Sequence, residues 1–323
     1  MKLATFRDPR GNRIGVVDAQ ADRLFDLTAA DASLSDMLAL IEAGSAGLER
    51  ARAALHERGG EGALWRPLDT VELLPPLPRP VQMRDAMSYA THIRQSGAGM
   101  RRLAAWLAGD AEAAAKVVVA PDIDPVYRHR PIYYMANRMI VGAPDSAVYW
   151  PAYSRVADFE LELAVVIGRT ARDISLADAP AHIFGYTIFN DFSARDAQMK
   201  EMPGRLGPAK GKSFDGGNVL GPWIVTPDEI PDPQALAVEV RVNGDVWARN
   251  TTADMLFDFP AIIAYMSRDE TLFAGEVIGS GTVGSCTGLE QGRFLHDGDT
   301  VELQVERIGV LRNRIIMPQG SAV

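Results

Sequence analysis

"DFELELAVVIG", residues 158–168, decides how this chain is read. Phe159, Leu161, Leu163, Val165 and Ile167 fill the odd positions; Asp158, Glu160, Glu162, Ala164 and Val166 fill the even ones. Apolar residues at every second position, β-branched toward the end and stopped by Gly168, predict a β-strand. Side chains two apart on a strand share a face, so Glu160 and Glu162 stand about 7 Å apart on one side. Two like charges driven toward a core repel each other and lose hydration. Such a pair calls for something positive against it.

The surrounding chain has 323 residues, 47% of them hydrophobic and 23% charged, with a formal net charge of −9. That suits a globular protein of two domains, or of one domain with an appendage. The negative balance and the lack of a basic arm argue against nucleic acid as a partner. "MKLATFRDPRGNRIGVV" has no apolar signal stretch and no segment has the length of a membrane span, so a soluble, cytoplasmic protein is expected. Cys286 stands alone, which leaves no internal disulfide and no multi-cysteine zinc site.

Outward from the strand, residues 2–27 read as short strands around a "DPRGN" turn, and residues 29–66 as helices. "LLPPLPRPVQ" (73–82) is proline-dense and extended. The expected division is a small N-terminal α+β domain over 1–72, a linker over 73–82 and a larger domain over 83–323. In the larger part, residues 98–117 predict a helix, and beyond Tyr133 short apolar runs alternate with turns. Asn243–Gly244 between two alternating runs signals a hairpin, and "FPAIIAYMS" predicts one further helix. The larger domain is mainly β.

Three stretches place acids in unusual company: Glu160 with Glu162; Asp191, which ends the strand-like run of "GYTIFNDFSARDAQ"; and Asp85 in "QMRDAMSYATH", seven residues before His92. If Glu160, Glu162 and Asp191 converge, a cation among them removes the repulsion. Hard oxygen donors suit magnesium, calcium or manganese rather than zinc or copper. The plainer alternative is a half-exposed sheet face and a turn aspartate.

In order, Asp85 to His92, "DFELELAVVIG", "NDFSARDAQ", "GKSFDGGNVLGPWIVT", "VNGDVWARNTTADM", "SGT" and "DGDTVELQVERIG" resemble the fumarylacetoacetate hydrolase family over residues 83–316. The resemblance implies an α+β, mainly β fold, a mixed β-sandwich roll with a small N-terminal α+β domain, assembled as a homodimer. It implies a divalent metal, Mg²⁺ or Mn²⁺ with Ca²⁺ as a further option, held by Asp85, Glu160, Glu162 and Asp191. His92 corresponds to the family's general base, and Glu290 of "CTGLEQG" to the carboxylate that orients it. Lys212, Arg195 and Gln198 correspond to donors toward the developing oxyanion, and Arg101, Tyr134 and Thr282 to substrate contacts.

The implied reaction is hydrolysis of a carbon–carbon bond in an acylpyruvate or other β-diketone acid. Decarboxylation of a 2-oxo acid and keto–enol tautomerisation are the alternatives. Met87 and Met202 stand where the best-known member has substrate-facing tyrosines, so a terminal acid group is held differently or not at all. Lys210 reads as solvated and Asp196 as an ion-pair partner. "GPAKGKS" approximates a phosphate-binding loop, but Leu206 occupies its first glycine position and no buried strand leads into it. Nucleotide binding is rejected.

Overall fold

Both faces of the 158–168 stretch are buried in a computed structural model of the chain, which describes residues 1–318. Residues 319–323, the end of the expected larger domain, lie outside the described residues. Six strands carry or flank the acidic residues: β1 (Lys2–Asp8), β2 (Met83–Ala86), β3 (Glu160–Ile167), β4 (Ile183–Asp191), β5 (Asn218–Val225) and β6 (Val277–Thr287). They are neighbours in the order β1-β5-β4-β3-β6-β2 within a 12-stranded sheet. β3 runs antiparallel to β4 and β6, while β6 runs parallel to β2. β1 pairs with β5 through Lys2↔Val225 and Leu3↔Ile224, so the N-terminal segment extends the same sheet.

The alternation in β3 sorts its side chains between two cores. Leu161, Leu163, Val165 and Ile167 join one cluster with Val238, Val240, Leu303 and Leu311 of a second, five-stranded sheet and with Ile262 of the helix Phe259–Met266. Ala164 and Val166 join another with Phe189, Leu220 and, from the N-terminal segment, Ile14 and Leu40. Burying both faces of a strand is what a central position in a covered sheet requires. Strands outnumber helices, and the sheets form a mixed α and β architecture without a closed barrel.

Three helices bear on the site: α1 (Ala90–Leu107), α2 (Arg195–Glu201) and α3 (Gly288–Gln291). α1 starts eight residues earlier than the sequence suggests. The glycines that look like its boundary lie inside it. A Cβ at Gly99 would come within 2.5 Å of the Leu289 carbonyl, so this glycine lets α1 and α3 approach closely. The Asn243–Gly244 hairpin forms as expected, with φ of 53° and 85° at its two central residues and Val242 opposite Asp245. No helix among the described residues is long and apolar enough to cross a membrane.

Candidate metal centre and active site

Sheet register brings the acids together. Glu162 lies opposite Thr282 of β6, Gly279 of β6 lies opposite Asp85 of β2, and Leu161 lies opposite Asn190, beside Asp191. The β3–β6 register shifts on both sides of Glu162, a local bend at the acids. One carboxylate oxygen each from Asp85, Glu162 and Asp191 falls within 4.8 Å of the others. Asp85 Oδ1 and Asp191 Oδ1 are buried without a hydrogen-bond partner among the described residues. Glu162 accepts from the Gly281 backbone N–H at 3.1 Å. A Cβ at Gly279 would sit 2.6 Å from Asp85 Oδ1 and 2.7 Å from Glu162 Oε2, so only glycine leaves this cradle open.

Burial and mutual repulsion show in the acidities. Burial, then the Asp191 charge, pushes Asp85 up to about 7. Burial and Asp85 together hold Glu162 well above the usual carboxylate range. Burial raises Asp191 to about 6 despite the neighbouring Lys212 ammonium. Asp191 also accepts from the Tyr134 hydroxyl at 2.8 Å. Tyr134 is kept a phenol by burial and by that negative neighbour.

Glu160, two residues away on the same face, has different company. Arg195 Nη2 donates to its Oε1 at 2.6 Å and Lys212 Nζ donates to its Oε2. Lys212 also donates to Asp191, bridging the two acids. Burial alone would raise Glu160, but the Arg195 and Lys212 charges hold it below the usual range. Both cations stay charged against their own burial because these carboxylates surround them. Glu160 therefore stands beside the triad with both oxygens engaged, and the cluster of convergent acids is Asp85, Glu162 and Asp191.

Asp158 completes this network, and the sequence reading assigned it no role. Its carboxylate accepts from Arg195 Nε at 2.7 Å, Thr287 Oγ1 at 2.6 Å, and the backbone N–H groups of Gly288 at 2.8 Å and Leu289 at 3.0 Å. The same carboxylate thus anchors Arg195 and the start of α3. Its signal was the spacing: Asp158, Glu160 and Glu162 are two apart on one face.

α3 carries Glu290, whose Oε1 lies 2.9 Å from His92 Nδ1 on the first turn of α1. His92 Nε2 is 3.9 Å from Glu160 Oε1. Burial opposes a charge on the imidazole, yet the Glu290 carboxylate outweighs it and the pKa is raised. Burial also raises Glu290, partly offset by the imidazole. With Nδ1 committed, Nε2 is the nitrogen left for chemistry.

A cavity of about 820 Å³ opens over these groups, and His92, Asp85, Glu160, Glu162, Arg195, Gln198, Lys212, Tyr134 and Thr282 all line it. Arg195 donates to Gln198 Oε1 at 2.9 Å, which leaves the Gln198 amide NH₂ free to donate elsewhere. The Thr282 hydroxyl faces Glu162 at 3.4 Å. Met87 and Met202 are on the cavity wall. Arg101 is not: it is exposed and donates to the Val118 carbonyl at 3.1 Å, while its neighbour Met100 lines the cavity. Lys210 is exposed, its Nζ 5.0 Å from the Tyr153 ring centre. Asp196 forms no ion pair among the described residues; it accepts from the Ser154 hydroxyl and, at 3.1 Å, the Arg155 backbone N–H. Lys212, the second lysine of the "GPAKGKS" stretch, reaches carboxylates.

Residues 85–316 match the family model described as fumarylacetoacetate (FAA) hydrolase C-terminal. The chain belongs to the fumarylacetoacetate hydrolase family. It is 32% identical to the mitochondrial oxaloacetate tautomerase FAHD2A of Bos taurus, over 98% of this chain and 92% of that protein. Among solved members of this fold, fumarylacetoacetate hydrolase from Exiguobacterium antarcticum superposes with a TM-score of 0.71 at 29% identity, covering 98% of this chain and 100% of that one. Maleylpyruvate hydrolase from Sphingobium sp. SYK-6 gives 0.72 at 25% identity, over 98% and 100%. Family members thus include hydrolases and a tautomerase, all enzymes of small molecules.

Proposed function

We propose that the chain is a divalent-cation-dependent enzyme that hydrolyses a carbon–carbon bond in an acylpyruvate or related β-diketone acid. The observation that carries this reading is the buried His92–Glu290 pair, 2.9 Å apart, opening on the cavity beside three convergent carboxylates. The acid cluster fits a hard cation: all donors are oxygens, two of them are buried without partners, and Gly279 leaves the space. Asp85, Glu162 and Asp191 would hold it, with Glu160 at its edge. Bound there, Mg²⁺ or Mn²⁺ would supply Lewis-acid stabilisation of negative charge on the oxygens of a 1,3-dicarbonyl.

The chain's own groups account for the proton movements. Glu290 holds His92 through Nδ1, so Nε2 takes a proton from water. The water oxygen adds to the acyl carbonyl carbon. The bond from that carbon to the methylene breaks, its electron pair going to the methylene side. The proton on Nε2 returns there, which leaves a free acid and pyruvate. Lys212 uses two of its three N–H groups on Glu160 and Asp191 and keeps one for a substrate oxygen. Arg195, bound to Asp158, Glu160, Thr287 and Gln198, acts mainly by positioning. A homodimeric assembly belongs to the same proposal.

A second reading, keto–enol tautomerisation of a 2-oxo diacid, is favoured by the similarity to an oxaloacetate tautomerase along nearly all of both chains. There His92 Nε2 would move a proton between carbon and enol oxygen, with no water added. A panel of acylpyruvates and oxaloacetate, with Mg²⁺ or with chelator, separates the two when enol absorbance is followed and products are identified by mass. Metal-dependent release of pyruvate and a free acid is the expected result. Absorbance loss without a mass change makes it a tautomerase, and release of CO₂ a decarboxylase. Full turnover by His92→Ala would rule out this proton carrier in either reading.

A further inference from the structure

Asp158 is 0% exposed, and each partner of its carboxylate among the described residues is a donor. Oδ1 takes the backbone N–H groups of Phe159 at 2.9 Å and Gly288 at 2.8 Å. Oδ2 takes Arg195 Nε at 2.7 Å, the Thr287 hydroxyl at 2.6 Å and the Leu289 N–H at 3.0 Å. A counter-ion for Arg195 needs only one of these bonds. Thr287, Gly288 and Leu289 are the end of β6 and the first turn of α3. With four residues, α3 is too short to hold a direction by its own hydrogen bonds. Asp158 meets its open N–H groups on one side, and on the other the Leu289 carbonyl packs against α1 at Gly99. Glu290 follows directly. Its Oε1 meets His92, while its Oε2 is buried with no hydrogen-bond partner among the described residues. The placing of that carboxylate therefore depends on α3.

From this we infer that Asp158 is a positioning residue for the proton carrier: by pinning α3 it sets where Glu290 meets His92, and so where Nε2 points. That role presupposes the His92–Glu290 proton carrier proposed above. The same carboxylate holds Arg195, which continues to Glu160 at 2.6 Å and to Gln198 at 2.9 Å. One buried group thus gives the proton carrier and the acidic wall a common reference. The group has to be a carboxylate. An amide of the same shape would turn its NH₂ toward donors whichever way it faced.

Asp158→Asn is therefore the variant to test, and its first readout needs no substrate. In protein labelled with ¹⁵N-histidine, a ring N–H donating to a buried carboxylate resonates downfield of a solvated one, and its loss in His92→Ala assigns it. In Asp158→Asn this signal should move upfield or vanish, while calorimetric Mg²⁺ affinity stays at the wild-type value. For whichever substrate the wild type turns over, kcat should fall roughly 100-fold with KM little changed, the loss that a misplacement of about 1 Å can bring. A signal at its wild-type position overturns the inference. Loss of Mg²⁺ binding with the signal in place does so too, because Asp158 would then support the acid cluster alone. Thr287→Val removes one donor and leaves the carboxylate, so it should displace the signal less and in the same direction, and Thr287→Ser should restore it. That pair carries the test if Asp158→Asn does not fold, and an unmoved signal in Thr287→Val then overturns the inference. Ser267→Ala removes a buried hydroxyl from the Ile174 N–H at a residue that does not line the cavity. It should lower stability and leave the signal alone; displacement there as well would reduce Asp158 to a general stabilising residue. A wild type that shows the downfield proton yet turns over neither acylpyruvates nor oxaloacetate overturns the proposed function instead.

Discussion

The acidic face that runs from Asp158 through β3 has two ends, and they are built in opposite ways. At one end Asp158 and Glu160 share Arg195, Thr287 links Asp158 to the same guanidinium, and Lys212 completes the set on Glu160. At the other, Glu162 faces Asp85 and Asp191, with two buried carboxylate oxygens left unpartnered. One end is neutral by its own cations. The other holds acids whose protons are retained to about pH 6 and 7 until a cation replaces them. The chain builds permanent charge balance where geometry must not move, and leaves it open where a ligand has to arrive.

Breaking the balanced end should have the largest effect. Arg195→Met leaves Asp158 and Glu160 facing each other in the core, and removal of one partner from a buried pair costs about 3–5 kcal/mol. Urea unfolding would read it; a loss below about 1 kcal/mol would mean that Arg195 is not the keystone of that end. Glu162→Gln should do the reverse at the open end. Cation affinity should fall by at least the roughly 10–100-fold that loss of an outer-shell partner costs, while stability in chelator should equal or exceed wild type. A variant less stable than wild type in chelator would show that Glu162 is part of the structural scaffold.

A pH series sharpens the contrast without mutation. Asp85 and Asp191 have folded-state values of about 7 and 6, above the ordinary carboxylate value, so the folded chain holds protons that the unfolded chain has released. In chelator, stability should therefore fall as pH rises from about 4 toward 7, because the folded state binds more protons across that window. Saturating Mg²⁺ should flatten or reverse the slope. Thermal unfolding at pH 5 and pH 8 tests this, and equal chelated stabilities would contradict it. The smallest effect belongs to the surface. Arg50 and the Ser33 amide lower Asp31 to about 2, but Arg50 is more than half exposed. Asp31→Asn should cost only about 0.2–1 kcal/mol at pH 7, and that loss should shrink as pH drops from about 4 to 2. A larger cost would mean that the surface pair is as important as the buried one.

How much of this could be read from the sequence depends on what sets each position. Period-two burial is a local property, so β3, its acids and the Asn243–Gly244 turn were legible. The family pattern located His92, Glu290 and Lys212. Asp158 was visible on the acidic face, but which acid meets Arg195 is decided by the packing of α2 and α3 against it, many residues away. Arg101 lies off the cavity for a rotational reason. Successive helical residues turn by about 100°, so Met100 faces the cavity and Arg101 faces the 118 carbonyl. The early start of α1 was hidden because Gly97 and Gly99 look like a boundary until the contact with Leu289 is known.

The β2–β6 pairing has a kinetic consequence. Asp85 reaches Glu162 only through β6, whose Gly279 lies beside it in the sheet although it comes from the other end of the chain. The convergent acids are thus assembled by highly non-local pairings, the kind that form late because loop closure must come first. An unfolded or half-zipped chain has no such cluster to offer. Refolding should therefore proceed at the same rate with or without Mg²⁺, whereas unfolding should slow in its presence, so the ion acts as a latch on the finished sheet rather than as a seed for it.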